Sequence, residues 1–299
     1  MKTPRLGIAI VHFRAEDLLA QCLDRLRNSL MVDFAVCVVD CGSRSDISPL
    51  LPDERFELLD PGANRGFAAG SNLAFAQLPG DCPWLLTLNP DVMVEPETLG
   101  RVLDELDADP VLGAMTCRLE LPSGRIDKAC RRSEPKVLNA LAKLIGLQAI
   151  FPRCRCFGGY NLSDASAESA HDIDSGSGAF LMLRRSALTA AGGGFDERFF
   201  LYGEDLDLCR RVRQAGYRLR YIPTARALHI KGSGRVRSLS ATFHFYRAMW
   251  LYYRKWGRQG HNPLVLAPLA MGLLVLGGLA MLSIPLRCML SALRRHSPP

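Results

Sequence analysis

Apolar positions in this chain follow two rhythms. Short apolar runs at Leu6–Phe13, Phe34–Asp40, Phe56–Leu59 and Trp84–Leu88 have the length and composition of buried strands. Over Glu16–Leu30 the spacing changes, and Leu18, Leu19, Cys22, Leu23, Leu26 and Leu30 recur with helical periodicity. Gly70–Leu78 reads as a helix after a glycine-rich entry, and Glu95–Asp107 as a helix with acids in its first turn. Strands and helices that alternate with short connections predict an α/β fold, a mainly parallel sheet flanked by helices. Ligands of such sheets bind beyond the carboxyl ends of the strands, where Asp40, Ser43, Asn64 and Asp91 all fall.

The second half is less regular. Val111–Leu121 and Ile173–Arg184 read as strands, the latter carrying Gly176-Ser177-Gly178. A helix beginning at Ala187 closes on Gly192-Gly193-Gly194, and Tyr217–Ile222 is a last strand leading to His229. Cys130–Tyr160, basic and partly helical, fits neither rhythm.

Charge divides the chain. No Asp or Glu follows Asp207, while residues 208–299 hold 16 of the 37 Lys and Arg. The first 207 residues therefore carry 21 basic against 30 acidic side chains, a net of −9, within a formal total of +7. An acidic domain followed by a basic tail points to an anionic surface or substrate. Nucleic acid is not the expected partner, because the basic residues lead into an apolar stretch and no zinc-finger or RNA-binding signature is present. The ten cysteines are scattered, several within apolar strand-like runs, which fits a reduced cytoplasmic setting; Cys154 and Cys156 lack a second ligand pair at zinc spacing. The N-terminus runs into the first strand without a signal-peptide pattern.

Candidate chemistry concentrates in Phe199–Arg211, where Glu204, Asp205 and Asp207 follow an aromatic stretch and a glycine. Acids in a helix's first turn complement its dipole, and Asp207 can pair with Arg210 or Arg211. A carboxylate held against apolar rings also gains proton affinity and can act as a general base. Spacing alone does not separate Glu204 from Asp205. Upstream, Asn89-Pro90-Asp91 is a turn by composition, since all three residues favour turns.

Four segments in order, Val38–Ser43, Asn64–Asn72, Leu88–Asp91 and Gly203–Asp207, resemble the family 2 inverting glycosyltransferases of the GT-A fold, in the branch of rhamnosyltransferases and galactofuranosyltransferases. The resemblance covers roughly residues 5–235 and implies a Rossmann-like sheet flanked by helices. It implies that Val11, Asp40, Ser43, Asn64, Gly66, Asn72 and Asn89 line the site of a nucleotide-diphosphate sugar. Asn89-Pro90-Asp91 stands where the family carries Asp-x-Asp, so Asp91, with His229, is the implied ligand of Mg²⁺ or Mn²⁺. Asp205 matches the family's base, and Glu204 then orients the acceptor or the base. The expected reaction is transfer of a sugar, rhamnose from dTDP-rhamnose first, to a hydroxyl of a lipid-linked glycan in cell-surface polysaccharide synthesis. The departures Asn89 and His12-Phe13-Arg14, where the family often has Tyr-Asn, keep a second reading open: a non-catalytic nucleotide-sugar-binding scaffold of the same fold.

The tail completes the expected organisation: a glycosyltransferase domain over 1–235, a basic and aromatic interfacial helix over 236–262, a membrane anchor over 263–286 and a basic tail over 287–299. Pro263–Pro285 has 23 residues and no charge, enough to cross a bilayer as a helix, although Pro268 and Gly277-Gly278 would kink or loosen it. Basic residues flank both sides, so the positive-inside rule gives no clean single crossing and a kinked or re-entrant segment stays open. Length and lack of charge favour an anchor over a buried core helix. The expected location is the cytoplasmic face of the inner cell membrane, with a lipid-linked acceptor.

Overall fold

A computed structural model describes residues 4–30, 32–43, 45–135, 150, 159–162, 165–231, 238–257 and 271–283. Among the described residues, nine strands form one sheet. Strands β1 (Leu6–His12), β2 (Phe34–Asp40), β3 (Phe56–Leu59) and β4 (Trp84–Leu88) come first. They are followed by β5 (Val92–Val94), β6 (Leu112–Glu120), β7 (His171–Ile173), β8 (Phe180–Arg184) and β9 (Arg218–His229). The order across the sheet is β3-β2-β1-β4-β8-β6-β9-β5, with β7 also paired to β9. Among the helices are α1 (Glu16–Arg27), α2 (Gly66–Gln77), α3 (Thr98–Ala108), α4 (Arg185–Ala190), α5 (Glu204–Gln214) and α6 (Leu239–Trp256).

The expected mainly parallel sheet holds only for its first half. β3, β2, β1 and β4 are mutually parallel, whereas β8 runs antiparallel to both β4 and β6, and β5 and β7 run antiparallel to β9. The cause is a break in the run read as one strand from Ile173 to Arg184. It splits into β7 and β8 around a turn at residues 174–179, where Gly176 packs tightly against Thr116 and Leu181. Because β8 reverses twice relative to its neighbours, β6 and β9 again run parallel to β4. The carboxyl ends of β1, β2, β4 and β9 therefore open on one edge of the sheet, which places His12, Asp40, Asn89 and His229 there.

Other boundaries shift for local reasons. α2 starts at Gly66, four residues before the expected start, because Gly66 (φ 77°) turns the chain into the helix while its amide donates to Asn64 Oδ1 (2.9 Å). The acids expected in the first turn of α3 precede it, with Glu97 as the N-terminal cap residue. β9 extends past Ile222 to His229, crossing Pro223 at a register shift opposite Cys117 and Arg118. Of the 130–160 excursion, residues 136–149 and 151–158 lie outside the described residues.

One core fills the sheet and its helices, and a second, smaller one joins Phe199 to Ala248, Tyr252, Tyr253 and Trp256 of α6 and to Leu273. The basic and aromatic segment thus forms a helix seated on the start of the α5 motif. Seven described cysteines are buried free thiols. Residues 271–283 are helical, but among the described residues no helix is long and apolar enough to cross a membrane. Residues 263–270 and 284–286 of the expected anchor, and all of 287–299, lie outside the described residues.

Candidate active site

Two pairs of polar side chains converge at the carboxyl edge of the sheet. The first forms at the turn after β4. β5 pairs with β9 so that Val92 lies opposite His229, and the Ile230 amide donates to the Asp91 carbonyl (2.8 Å). Asp91 Oδ1, buried and without a hydrogen-bond partner, comes within 3.4 Å of His229 Nε2. On the far side of the ring, Nδ1 lies 2.9 Å from Asp127 Oδ2, and Lys231 Nζ lies 2.8 Å from Asp127 Oδ1. Burial opposes the charge of Asp127, but hydrogen bonds with His229 and Lys231 hold its carboxyl well below the usual range. An ionised Asp127 requires the His229 proton at Nδ1 and turns Nε2 toward Asp91. Burial works against a charge on His229, yet its hydrogen bond with Asp127 and the nearby Asp91 carboxylate raise its proton affinity overall.

That pair suits a divalent cation. An orphaned carboxylate oxygen facing an oriented imidazole nitrogen gives two ligands on one side, leaving positions for diphosphate oxygens. Among the described residues no cluster of three or more His, Cys, Asp or Glu side chains surrounds a possible metal position. Asp127 escaped the sequence reading because it follows a turn 102 residues before His229, with no periodic or motif signal.

The second pair opens α5. Tyr202 (φ 70°) and Gly203 (φ 81°) are consecutive left-handed residues, and a side chain on Gly203 would press on Phe199 and Ala248. A left-handed tyrosine is strained and persists only where its surroundings over-determine it. This turn aims Glu204 and Asp205 into the protein, where they are 6 % and 8 % exposed. Asp205 Oδ2 accepts from Arg132 Nη2 (2.7 Å) and the Gly178 amide (3.2 Å), and Oδ1 from the Leu206 amide (2.7 Å). Glu204 Oε2 is buried with no partner. Burial, then the adjacent Asp205 charge, push its carboxyl up to about 8.

The aromatic wall expected against these carboxylates packs elsewhere. Phe199 sits in the α6 core, Phe200 stacks on His244 (4.5 Å between centroids) and Tyr202 meets Phe245 edge-on (5.9 Å). Desolvation of Glu204 follows from its depth. Asp207, fully buried, pairs with Arg211 (2.9 Å) and also accepts from Trp256 Nε1 (2.8 Å). Arg210 turns instead to Glu134.

The turn between β7 and β8 joins the two pairs. The Asn89 amide donates to the Ala179 carbonyl (2.9 Å), and the neighbouring Gly178 amide meets Asp205.

The expected donor residues divide. Asp40 caps its own turn: Oδ1 accepts from the Gly42 and Ser43 amides (3.0 and 2.8 Å) and Oδ2 from the Ser43 hydroxyl. Burial works against its charge, but these hydrogen bonds and His12 hold it below the usual carboxylate range. Val11 is half-buried beside Gly70. His12, fully buried with both ring nitrogens unpartnered, is less basic than usual through burial, despite Asp40 and Glu16 nearby. Asn64 is exposed at the mouth of α2, and Asn89 is half-buried. Asn72 departs from expectation. Its Oδ1 accepts from the Phe195 amide (2.8 Å) and its Nδ2 donates to the Phe195 carbonyl and Glu197 (both 2.9 Å). Its amide therefore staples α2 to the loop before α5 and is not free for a ligand.

Gly66 performs the matching task at the head of α2. The Phe67 amide donates to the Phe200 carbonyl (2.8 Å), and a Cβ on Gly66 would overlap that carbonyl and the Phe200 ring. Gly66→Ala is expected to lose about 1–3 kcal/mol from backbone strain alone. Urea denaturation checks this, and an unchanged midpoint would contradict the close approach.

Glu204 gives a pH signature. Its proton affinity is raised from 4.5 to about 8, so the folded protein binds more protons than the unfolded chain between these limits. Its contribution to stability is complete below pH 4.5 and is lost as pH rises through 8. Wild type is expected to lose melting temperature from pH 5 to 9 more steeply than Glu204→Gln; parallel curves would contradict a protonated Glu204.

A mixed sheet flanked by helices, with two polar pairs at its carboxyl edge, is a GT-A-type fold. The profile of Glycosyl transferase family 2 matches residues 8–166, and that of Glycosyl transferase family group 2 matches residues 158–298. The chain belongs to glycosyl transferase family 2. It is 32% identical over 209 residues to an N-acetylglucosaminyl-diphospho-decaprenol L-rhamnosyltransferase of Mycobacterium tuberculosis (strain CDC 1551 / Oshkosh), 66% of each protein. It is 26% identical over 172 residues to rhamnosyltransferase WbbL of Escherichia coli (strain K12), 55% of this chain and 60% of WbbL. Among solved structures, the mannosyltransferase PcManGT of Pyrobaculum calidifontis, in complex with GDP-Man and Mn²⁺, superposes with a TM-score of 0.56 at 17% identity, over 100% of this chain and 77% of that one. GalNAc-T7 with UDP, GalNAc and Mn²⁺ gives 0.57 at 12% identity, over 84% and 50%. These likenesses establish the fold.

Proposed function

We propose that the protein transfers a sugar, rhamnose from dTDP-rhamnose, to a hydroxyl of a lipid-linked saccharide, with inversion at the anomeric carbon. The observation that carries this reading is the convergence of Asp91–His229 and Glu204–Asp205 on one sheet edge, tied through Ala179 and Gly178. The rhamnosyltransferase relatives support the donor, and the mycobacterial one supports an N-acetylglucosaminyl-diphospho-polyprenol acceptor.

Asp205 acts as the base. Its Oδ2 is held by Arg132 and Gly178, while Oδ1 accepts one amide and keeps a lone pair for the acceptor hydroxyl. As that proton moves to Oδ1, the hydroxyl oxygen attacks the anomeric carbon from the face opposite the diphosphate. The bond to the diphosphate breaks and the nucleoside diphosphate leaves. Glu204, protonated below about pH 8, offers a hydrogen bond to an acceptor oxygen without adding a second negative charge. Asp91 and His229 would hold Mg²⁺ or Mn²⁺, which when bound neutralises charge on the diphosphate. Asp40 and Ser43, with Val11, Asn64, Gly66 and Asn89, surround the nucleotide and sugar.

The C-terminal elements carry the membrane side of the proposal. On α6, Leu239, Phe243 and Trp250 are exposed near Arg247 and Arg254, and on residues 271–283 the exposed set is Met271, Leu274, Val275, Leu279 and Leu282. Apolar faces beside a surface with no acid after Asp207 favour the cytoplasmic face of the inner membrane, where a polyprenyl diphosphate presents its headgroup.

The test offers a panel of nucleotide sugars with N-acetylglucosaminyl-diphospho-polyprenol in detergent, with Mn²⁺ or EDTA. Transfer confined to dTDP-rhamnose and lowered at least about tenfold by EDTA is expected. Equal transfer to soluble acceptors contradicts the lipid-linked substrate, and nucleotide binding without any turnover favours the scaffold reading.

A further inference from the structure

We propose that Arg132 is a positioning residue for the Glu204–Asp205 pair, its guanidinium fixing which oxygen of Asp205 faces the acceptor. This rests on Asp205 being the base. Arg132 lies in the excursion that matched no motif, 73 residues before its partner.

Its backbone is pinned first. The Arg132 amide donates to the Ser175 carbonyl (2.9 Å), and the Ser175 amide returns a bond to the Arg132 carbonyl (3.0 Å). The side chain then enters the protein, 9 % exposed. Nη2 reaches Asp205 Oδ2 (2.7 Å), the Gly176 carbonyl and Ser175 Oγ (3.3 Å), while Nη1 faces the Tyr160 hydroxyl (3.5 Å). A planar fork gripped at several points cannot rotate independently, so it fixes the plane of the Asp205 carboxylate. Oδ2 turns inward to Arg132 and Gly178, and Oδ1 is the oxygen left with an open site.

The charge follows the same geometry. Two adjacent buried carboxylates beside one guanidinium are neutral as a unit only when they share one proton. Arg132 pairs with Asp205 (2.7 Å), and burial and the Asp205 charge push the neighbouring Glu204 carboxyl up to about 8 against the pull of Arg132. Among the described residues, Cys209 also faces this site, its thiol pushed up to about 11 by burial and Asp205, and Tyr160 lies beyond the guanidinium.

Removing Arg132 should leave the segment in place. Glu134 is bound by Arg210 and by Arg213 (2.6 Å), and Arg213 also reaches Asp174 (3.1 Å), so α5 is strapped to both neighbouring segments without Arg132.

The experiment compares full-length wild type, Arg132→Lys and Arg132→Gln. It measures kcat and kcat/KM from pH 5 to 10, melting temperature, and dTDP affinity by calorimetry with Mn²⁺. Arg132→Gln is expected to lower kcat by about 10²-fold, leave dTDP affinity within about twofold, and move both limbs of the pH profile up by about one to three units, because loss of a cation favours protonated carboxyls. Arg132→Lys keeps the charge and is expected to keep the wild-type profile with a smaller loss in kcat. Arg132→Gln on top of Asp205→Asn should add no further loss. A wild-type profile for Arg132→Gln, or a loss confined to dTDP affinity or melting temperature, overturns the inference. Wild-type turnover by Asp205→Asn overturns the base reading itself. An inactive Asp205→Asn beside an unshifted Arg132→Gln profile overturns the role of Arg132 alone.

Discussion

Asp205→Asn is expected to lower kcat for sugar transfer by about 10²–10⁴-fold while dTDP affinity stays near wild type. Asparagine keeps the shape of the side chain and can still accept from the Leu206 amide, but it cannot take a proton from the acceptor hydroxyl. The change also leaves Arg132 buried beside a neutral amide, so part of the effect will appear as lowered stability. A melting curve and a titration with dTDP separate the two contributions: a folded, nucleotide-binding, inactive variant is the expected result. Glu204→Gln should lose much less, because glutamine still donates a hydrogen bond as the protonated acid does. An ordering of losses in which Glu204→Gln exceeds Asp205→Asn would exchange the roles of the two carboxyls.

The largest stability effect is expected at Asp207. Its carboxylate is fully buried and accepts from Trp256 Nε1 (2.8 Å), Arg211 (2.9 Å) and Lys255 (2.7 Å). Arg211 also reaches the carbonyls of Ala191 and Gly194, and Lys255 is shared with Asp196. This one carboxylate thus joins α5, the loop before it and α6. Asp207→Ala leaves two cations and an indole N–H without their partner, and is expected to cost about 3–5 kcal/mol. Asp207→Asn should cost less, since its amide oxygen still accepts from the indole. Guanidinium denaturation followed by tryptophan fluorescence reports both, because Trp256 is at the junction. A loss below 1 kcal/mol for Asp207→Ala would mean that α6 is held by its aromatic contacts alone.

Legibility followed the range of the interactions. β1, β2, β3 and β4 were readable to within a residue or two, because each is an apolar run closed by a turn and is stabilised largely by its own burial. β5 was not, since three residues carry no period, and it exists only because β9 offers an edge. The reversal at β8 depends on Gly176 and Gly178 meeting Thr116 and Phe67, contacts that no local pattern announces. The site divided in the same way. Asp91, Glu204 and Asp205 stand at element ends marked by turn chemistry. Asp127 and Arg132 act on partners 102 and 73 residues away, and the sequence around them reads as loop. At Asn72, a small-residue helix entry looks the same whether its amide faces a ligand or, as here, a backbone 123 residues downstream.

The most direct test of the account is an NMR analysis of the product formed from dTDP-rhamnose and the lipid-linked acceptor by wild type and by Asp205→Asn. The account predicts a new rhamnosyl linkage with wild type, anomeric configuration opposite to that of the donor, and almost none with the variant. A product that keeps the donor's configuration, or equal product from both proteins, would contradict it.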